Sequence, residues 1–368
     1  MNGTASAARR AQGSTIAGFI LRLARDSIPA TQAHFAERLG VDLATVQGWE
    51  SGRRPLANMK AGALLGLRRQ LPALGADPAI LGLLDAAMDA DRIIGAALTS
   101  GEEGQLHPLA EWVHTRDTAH MIAWALNGTT PPSLVNRIKA PRRSKTPPAP
   151  LLPVPHRRQF FDHLRAAAES ADRRTDQGVL LHRQALYLSS YDRTPDATRW
   201  TAQALHARRD VLAARGWSPH WAEARSTATA LARLGDTEPL LTFIDRAMAE
   251  DDAAEAANLN YWAYWLGALP QVQANDRFMG DRSLSAFDPV TLFRRLVLGL
   301  RQAPGYADLY IHSLWALLGV YRWLPLAAPE IAAALTGHAA SLLDGDRISA
   351  RARRELVTVH YVLRENRK

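Results

Sequence analysis

Residues 31–55 constrain the fold of this chain more than any other segment. They read TQAHFAERLGVDLATVQGWESGRRP, and the apolar positions in this run are Phe35, Leu39, Val41, Val46 and Trp49. This spacing gives each of two short helices one inward face. Thr31 follows Pro29 and is placed to cap the first helix. Gly40 falls where the turn between crossed helices needs a positive φ, so the segment predicts two short helices joined by a tight turn.

Two further positions in this segment fit crossed helices. Ala36 is small where the second helix is expected to pass close, and Asp42 is placed to cap that second helix. The second helix then presents its other side outward, with Leu43, Ala44, Thr45, Gln47 and Gly48. The alternative is an ordinary antiparallel helix pair. Such a pair does not need the small residue, the turn glycine and the apolar spacing together.

The flanking sequence extends the pattern to five helices. Ile16, Phe19, Ile20 and Leu23 follow helical spacing and predict an amphipathic helix over residues 15–27. Gly52 closes the second short helix, and a leucine run at 64, 67 and 71 predicts another helix. With these flanks, residues 15–72 resemble the DNA-binding domain of the phage repressor, Cro and Xre family of bacterial regulators. TQ, LAERLGV and VQGWESGRRP carry the resemblance.

This resemblance implies a set of DNA contacts. The second short helix would be the recognition helix, with Leu43, Ala44 and Gln47 facing base edges. Phosphate contacts are expected from Gln32, Arg53 and Arg54. The chain departs from the usual pattern because two of the base-facing residues are apolar and Gly48 has no side chain. Hydrogen-bond readout is therefore expected from Gln47 and Thr45, with apolar contact to thymine methyl groups.

Charge is distributed unevenly along the 368 residues. The net charge is +8, and residues 1–75 hold ten basic against four acidic side chains. Residues 76–136 hold two basic against eight acidic, whereas residues 137–158 hold seven basic and no acidic side chain. A basic block that coincides with the helix-turn-helix motif fits phosphate binding. The chain has no cysteine and no apolar stretch of membrane-spanning length, so we expect a cytoplasmic protein without membrane contact.

The rest of the chain is expected to be helical. Residues 76–136 predict a connecting segment with helices from Pro78 through Leu98 and from His107 to Asn127, a candidate for dimerisation. Residues 137–155 form a basic, Pro-rich linker, in which Arg142, Arg143 and Lys145 either touch DNA phosphate or are merely solvated.

Residues 156–368 predict serial helices without any alternating strand pattern. The helices are expected near 156–172, 176–191, 195–215, 218–234, 237–250, 252–268, 288–302, 305–323, 328–344 and 346–365. Their lengths and short connections favour an α-helical, repeat-like domain of the tetratricopeptide kind, with a globular helical bundle as the alternative. The predicted fold class is all-α throughout, although clean 34-residue repeats are absent.

Catalytic and metal-binding motifs are not found in the sequence. It contains no GxxxxGK[ST], GxGxxG, GxSxG or HExxH, and its closest histidines do not share a helix face. We expect no enzymatic activity, no metal and no cofactor.

One aromatic run, NLNYWAYW at residues 258–265, has more large rings than one buried face requires. Core packing is the simpler interpretation of this run. The alternative is an effector pocket formed by Asn258, Tyr261, Trp262 and Trp265.

These observations together predict a sequence-specific transcriptional regulator that binds double-stranded DNA as a homodimer. Its helical C-terminal domain would respond to an unknown small-molecule, peptide or protein effector. An alternative is an antitoxin-like interaction protein, whose helical domain captures a partner while its DNA-binding domain autoregulates. An enzyme with an unrecognised active site is a third possibility. The operator, the effector and the sign of regulation do not follow from the sequence.

Overall fold

The computed structural model describes residues 15–99, 106–138 and 149–365, and the regular elements in these ranges are all helices. The all-α prediction is thereby confirmed for the described residues. The basic cluster predicted at Arg142, Arg143 and Lys145 lies outside them. Within the described ranges, no helix is both long and apolar enough to cross a membrane.

The chain divides into two compact units. The N-terminal unit comprises Met1–Leu109 and His114–Ala167, and the C-terminal unit comprises Ala110–Val113 and Ala168–Lys368. The predicted boundary at residue 156 falls inside a helix, Val154–Ser170, most of which belongs to the N-terminal unit. The predicted connecting segment, residues 76–136, also belongs almost entirely to that unit.

The helices up to residue 170 are α1 Thr15–Ser27, α2 Gln32–Leu39, α3 Leu43–Glu50, α4 Ala61–Ala73, α5 Pro78–Leu81, α6 Leu84–Leu98, α7 Pro108–Glu111, α8 Arg116–Asn127 and α9 Val154–Ser170. Helix α1 is the centre of the N-terminal unit and packs against α3 and α6. The Asp91 carboxylate of α6 accepts the backbone N–H groups of Ile16 and Ala17 at 3.1 and 2.9 Å. Because these donors have no partner within their own helix, Asp91 ties the start of α1 to α6. Phe19 of α1 meets Trp124 of α8 edge to face, with ring centroids 5.0 Å apart.

Two predicted helices are interrupted, which corrects the sequence prediction. The helix expected from Pro78 through Leu98 breaks at Gly82. There the Leu83 N–H donates to the Ile80 carbonyl, three residues earlier, instead of to the residue four positions earlier as in an α-helix. The helix expected from His107 to Asn127 also breaks, because the Val113 N–H donates to the Gln273 carbonyl at 2.8 Å. Thr115 then caps the new helix, with its side chain accepting from the Thr118 N–H. Both breaks depend on local capping and on distant partners, which apolar spacing does not report.

The helices after residue 170 are α10 Asp176–Ser189, α11 Pro195–His206, α12 Trp221–Arg233, α13 Glu238–Ala247, α14 Asp252–Trp265, α15 Pro289–Gln302, α16 Ala307–Val320, α17 Leu324–Ala327, α18 Pro329–Leu343 and α19 Ala350–Glu365. Apart from α17, each falls within or close to a predicted range. The helix expected to reach residue 215 ends earlier, at His206, and is followed by a 3₁₀ turn, Arg209–Ala213. Helix α17 was not predicted separately.

Helix α16 lies inside the C-terminal unit and packs against α13, α14, α15 and α19. Its residues Ile311, His312, Ser313 and Leu314 are consecutive and all fully buried, so α16 is covered on every side along this stretch. One central helix surrounded by others is typical of a bundle. The central position of α16 does not confirm the predicted stack of repeat-like helix pairs, which stays a prediction.

Candidate nucleic-acid interface

Helices α2 and α3 and the turn between them have the local structure that the sequence predicts. The Thr31 side chain accepts a hydrogen bond from the His34 N–H at 3.2 Å and so caps α2. Gly40 adopts φ 66° and ψ 35°, the left-handed conformation, and ends α2. Asp42 occupies the capping position of α3 but makes no side-chain capping bond there. Phe35 and Val46 are buried, so the two helices pack through the predicted apolar faces.

The closest backbone approach in this region involves Gly18 of α1, which the sequence did not single out. A Cβ atom at Gly18 would lie 2.3 Å from the Trp49 carbonyl oxygen and 3.0 Å from that of Glu50. Helix α1 thus touches the backbone at the end of α3 directly. The sequence predicts the small residue at Ala36, which is buried, but the tighter requirement falls on Gly18.

A buried ionic network connects the first three helices. Glu50 at the end of α3 accepts hydrogen bonds from the Arg25 guanidinium of α1, through Nε at 2.5 Å and Nη2 at 3.2 Å. It also accepts one from Gln32 Nε2 of α2 at 2.6 Å. The Glu50 side chain is 4% exposed, so both donors are needed to offset the cost of burying its charge. Gln32 was predicted as a phosphate contact, and this bond leaves it one further amide hydrogen.

The outward side of α3 carries the residues predicted to face base edges. Leu43 is 41% exposed, and Ala44 and Gln47 are also exposed, whereas Thr45 is half-buried. Helix α3 therefore offers a surface with one long polar side chain, Gln47, flanked by apolar groups. A bidentate amide of this kind matches adenine in the major groove, and small apolar groups match thymine methyls.

Arg54 folds back onto this same surface. Its Nη1 donates to the Thr45 hydroxyl at 2.7 Å, and its backbone N–H donates to the Gly48 carbonyl at 2.9 Å. A Cβ at Gly48 would lie 2.9 Å from Arg54 Cδ, so the arginine side chain occupies the space that a larger residue at 48 would fill. The missing side chain of Gly48 thus makes room for Arg54. Arg53 is exposed and its Nε donates to the Ser51 hydroxyl at 3.2 Å.

The residues predicted as an effector pocket lie in the core of the C-terminal unit. Tyr261 and Trp262 are 5% and 4% exposed, Asn258 is fully buried, and Trp265 is half-buried. The Asn258 amide and the Trp262 indole both donate to the Ser313 hydroxyl, at 2.9 and 2.7 Å. The asparagine NH₂ group and the indole N–H thereby share a partner inside the protein, whereas Asn258 Oδ1 is buried without one. The burial of Asn258, Tyr261 and Trp262 corrects the expectation that these side chains surround a pocket.

The second aromatic face of α14 is covered by a buried arginine. The Arg225 guanidinium of α12 is 3% exposed and lies 3.8 Å from the Tyr261 ring centre and 4.6 Å from that of Trp262. Burial lowers the pKa of Arg225, and the electron-rich ring faces partly offset that cost. The excess of aromatic rings on α14 therefore has a structural partner that periodicity alone does not reveal.

Neither a metal centre nor a known relative defines a further site. Across residues 15–99, 106–138 and 149–365, no group of three or more His, Cys, Asp or Glu side chains is arranged to hold a metal ion. Comparison with known protein families, curated proteins and solved structures found no match.

Proposed function

We propose that the protein is a sequence-specific DNA-binding transcriptional regulator of the phage repressor, Cro and Xre type, with α3 as its recognition helix. The observation that carries the proposal is the arrangement of α2, the Gly40 turn and α3. This pair buries its apolar faces while Leu43, Ala44 and Gln47 remain exposed along one side of α3. An exposed helix with a short apolar and amide surface suits entry into a major groove.

The charge distribution supports the same proposal. The ten basic side chains of residues 1–75 include Arg53 and Arg54, which directly follow the recognition helix and are exposed. We propose that the protein binds as a homodimer to a near-palindromic site, with two copies of α3 in successive major grooves about 34 Å apart. A single domain of this size buries too little surface for specific affinity. The C-terminal unit would respond to an effector and so change operator affinity.

Replacing Gln47 by alanine is expected to weaken binding to the preferred duplex by about 1–3 kcal/mol and to leave binding to random duplex nearly unchanged. The reason is that the exposed Gln47 amide would read a base edge and would not contact phosphate. The preferred duplex is first selected from a random pool by the full-length protein, and affinities are then measured by fluorescence anisotropy. Gln70→Ala, which removes an exposed glutamine from α4, is the matched control. Equal losses of affinity on both duplexes would show that Gln47 does not contact a base edge.

Neutralising Arg53 and Arg54 together is expected to weaken binding to all duplexes and to reduce the slope of log affinity against log salt by roughly 2 units. Each arginine that contacts phosphate releases about one counterion. Arg347→Gln, an exposed arginine of the C-terminal unit, is the control and is expected to leave the slope unchanged. An unchanged slope in the double variant would place the phosphate contacts on other basic residues.

A further inference from the structure

A large cavity opens in the C-terminal unit beside α14. Its volume is about 880 Å³, and it lies between α14, α16 and α19 and beside the loop that holds Arg282 and Leu284. This volume is in the range of small-molecule sites. The size alone does not indicate the chemistry of a ligand, but the lining residues do.

Large apolar side chains around this cavity are unusually exposed. Trp315 is 37%, Val320 56% and Tyr361 61% exposed, and Leu259 forms a buried part of the wall. Contiguous exposed apolar surface on a folded protein commonly marks a binding site. The two aromatic side chains provide flat surfaces on which a planar apolar group can stack.

The charges that line the cavity are Asp252, Glu255, Arg282 and Arg322. Glu255 is compensated from inside the protein. The imidazole of His312 on α16 is fully buried, with Nε2 3.0 Å from Glu255 Oε1 and Nδ1 2.9 Å from Glu355 Oε1. Both ring nitrogens therefore face carboxylates.

The geometry favours a charged imidazolium at His312. Burial by itself opposes the charged form, but the adjacent Glu255 carboxylate and the hydrogen bond to Glu355 outweigh it and raise the pKa of His312 to about 9. At neutral pH the positive ring thus offsets one of the two carboxylate charges that it faces. Arg351 also approaches Glu355, at 3.9 Å, but its closer partner is Asp245.

The remaining charges of the lining are one carboxylate and two arginines. Asp252 lies in the first turn of α14, where the helix dipole favours a negative charge. Arg282 and Arg322 are exposed, and neither forms an ion pair within the part of the chain that the structure describes. The cavity therefore combines an apolar, aromatic wall with two exposed arginines that are available to an anion.

We propose that this cavity binds a small organic anion with a flat apolar body, whose carboxylate or sulfonate group pairs with Arg282 and Arg322 while the body stacks against Trp315 and Tyr361. This rests on, and deepens, the proposed effector response of the C-terminal unit. The binding measurement needs no DNA, so its failure and a failure of operator binding are separate results.

The probe for this site is 1-anilinonaphthalene-8-sulfonate, a fluorescent aromatic anion, titrated into the full-length protein. We expect saturable binding at one site per chain. In the double variant Arg282→Gln and Arg322→Gln, the dissociation constant is expected to rise about three- to thirtyfold, the effect of losing two solvent-exposed ion pairs. The uncharged analogue N-phenyl-1-naphthylamine is expected to bind both proteins equally. A double variant of exposed arginines elsewhere in the unit, Arg193→Gln and Arg347→Gln, is the matched control.

A pair of glycine variants tests the location. Gly319 lines the cavity near the end of α16, and Gly337 lies in α18 outside it; a Cβ added at either glycine meets no heavy atom within 4 Å. Gly319→Trp is expected to abolish binding of both probes, whereas Gly337→Trp is expected to preserve it. The proposal is overturned if Gly319→Trp leaves the sulfonate bound, or if the arginine variants weaken the uncharged probe as much as the charged one.

Discussion

Replacing Trp262 by alanine is expected to lower the free energy of unfolding by about 3–5 kcal/mol, the cost of truncating a large buried aromatic side chain. Trp262 is 4% exposed, its ring centre lies 4.7 Å from that of Tyr310, and its indole donates to Ser313. The variant removes the buried ring, its contact with Tyr310 and its hydrogen bond to Ser313, and it leaves a void under the Arg225 guanidinium. Urea unfolding followed by far-ultraviolet circular dichroism measures the loss.

The same unit offers a control for this prediction. Trp323 is 47% exposed, so Trp323→Ala is expected to change the unfolding free energy by no more than about 1 kcal/mol. If Trp262→Ala were instead as mild as Trp323→Ala, Trp262 would not be part of the core. Loss of an effector response without loss of stability would revive the pocket expected at NLNYWAYW.

Gly18→Ala is expected to destabilise the N-terminal unit by about 3 kcal/mol or more, at the upper end of overpacking effects. The added methyl would lie 2.3 Å from the Trp49 carbonyl oxygen, and this backbone neighbour cannot rotate away as a side chain does. Helices α1 and α3 would have to separate, which also disturbs α3, the proposed recognition helix. We therefore expect operator affinity to fall with stability.

Gly66→Ala provides the opposite outcome at a comparable helix position. Gly66 lies within α4, and a Cβ there meets no heavy atom within 4 Å. Alanine at this position is expected to stabilise the unit by about 0.5–1 kcal/mol, because it improves helix propensity without a clash. Thermal unfolding of both variants checks the pair. A neutral Gly18→Ala variant would contradict the close crossing of α1 and α3.

The sequence predicted those features that depend on neighbours along the chain. The left-handed Gly40, the Thr31 cap and the bounds of α1 follow from local residue preferences, and the structure has all three. The requirement for glycine at position 18 was missed because it arises where two helices cross, and no pattern within α1 reports how close α3 approaches. The Glu50 network was missed for the same reason, since its partners lie 18 and 25 residues away.

The aromatic segment shows the same limit in the C-terminal unit. Periodicity correctly predicted a helix over NLNYWAYW, but the number of its faces covered by neighbours depends on tertiary packing. Arg225, 33 positions earlier than Asn258, covers one face, and Ser313 on α16 supplies the polar partner for another. The adjacent cavity was beyond prediction because its wall combines α14, α16, α19 and a loop.

The position of Arg54 over Gly48 has a consequence for how operator preference would evolve. Any side chain at position 48 displaces Arg54 from its place beside Thr45, because the two compete for the same space. A mutation at 48 would therefore alter two neighbouring contacts in one step. Under the proposed function, a substitution at position 48 would change both the α3 surface at Thr45 and the phosphate contact expected from Arg54, so positions 45, 48 and 54 would have to change together.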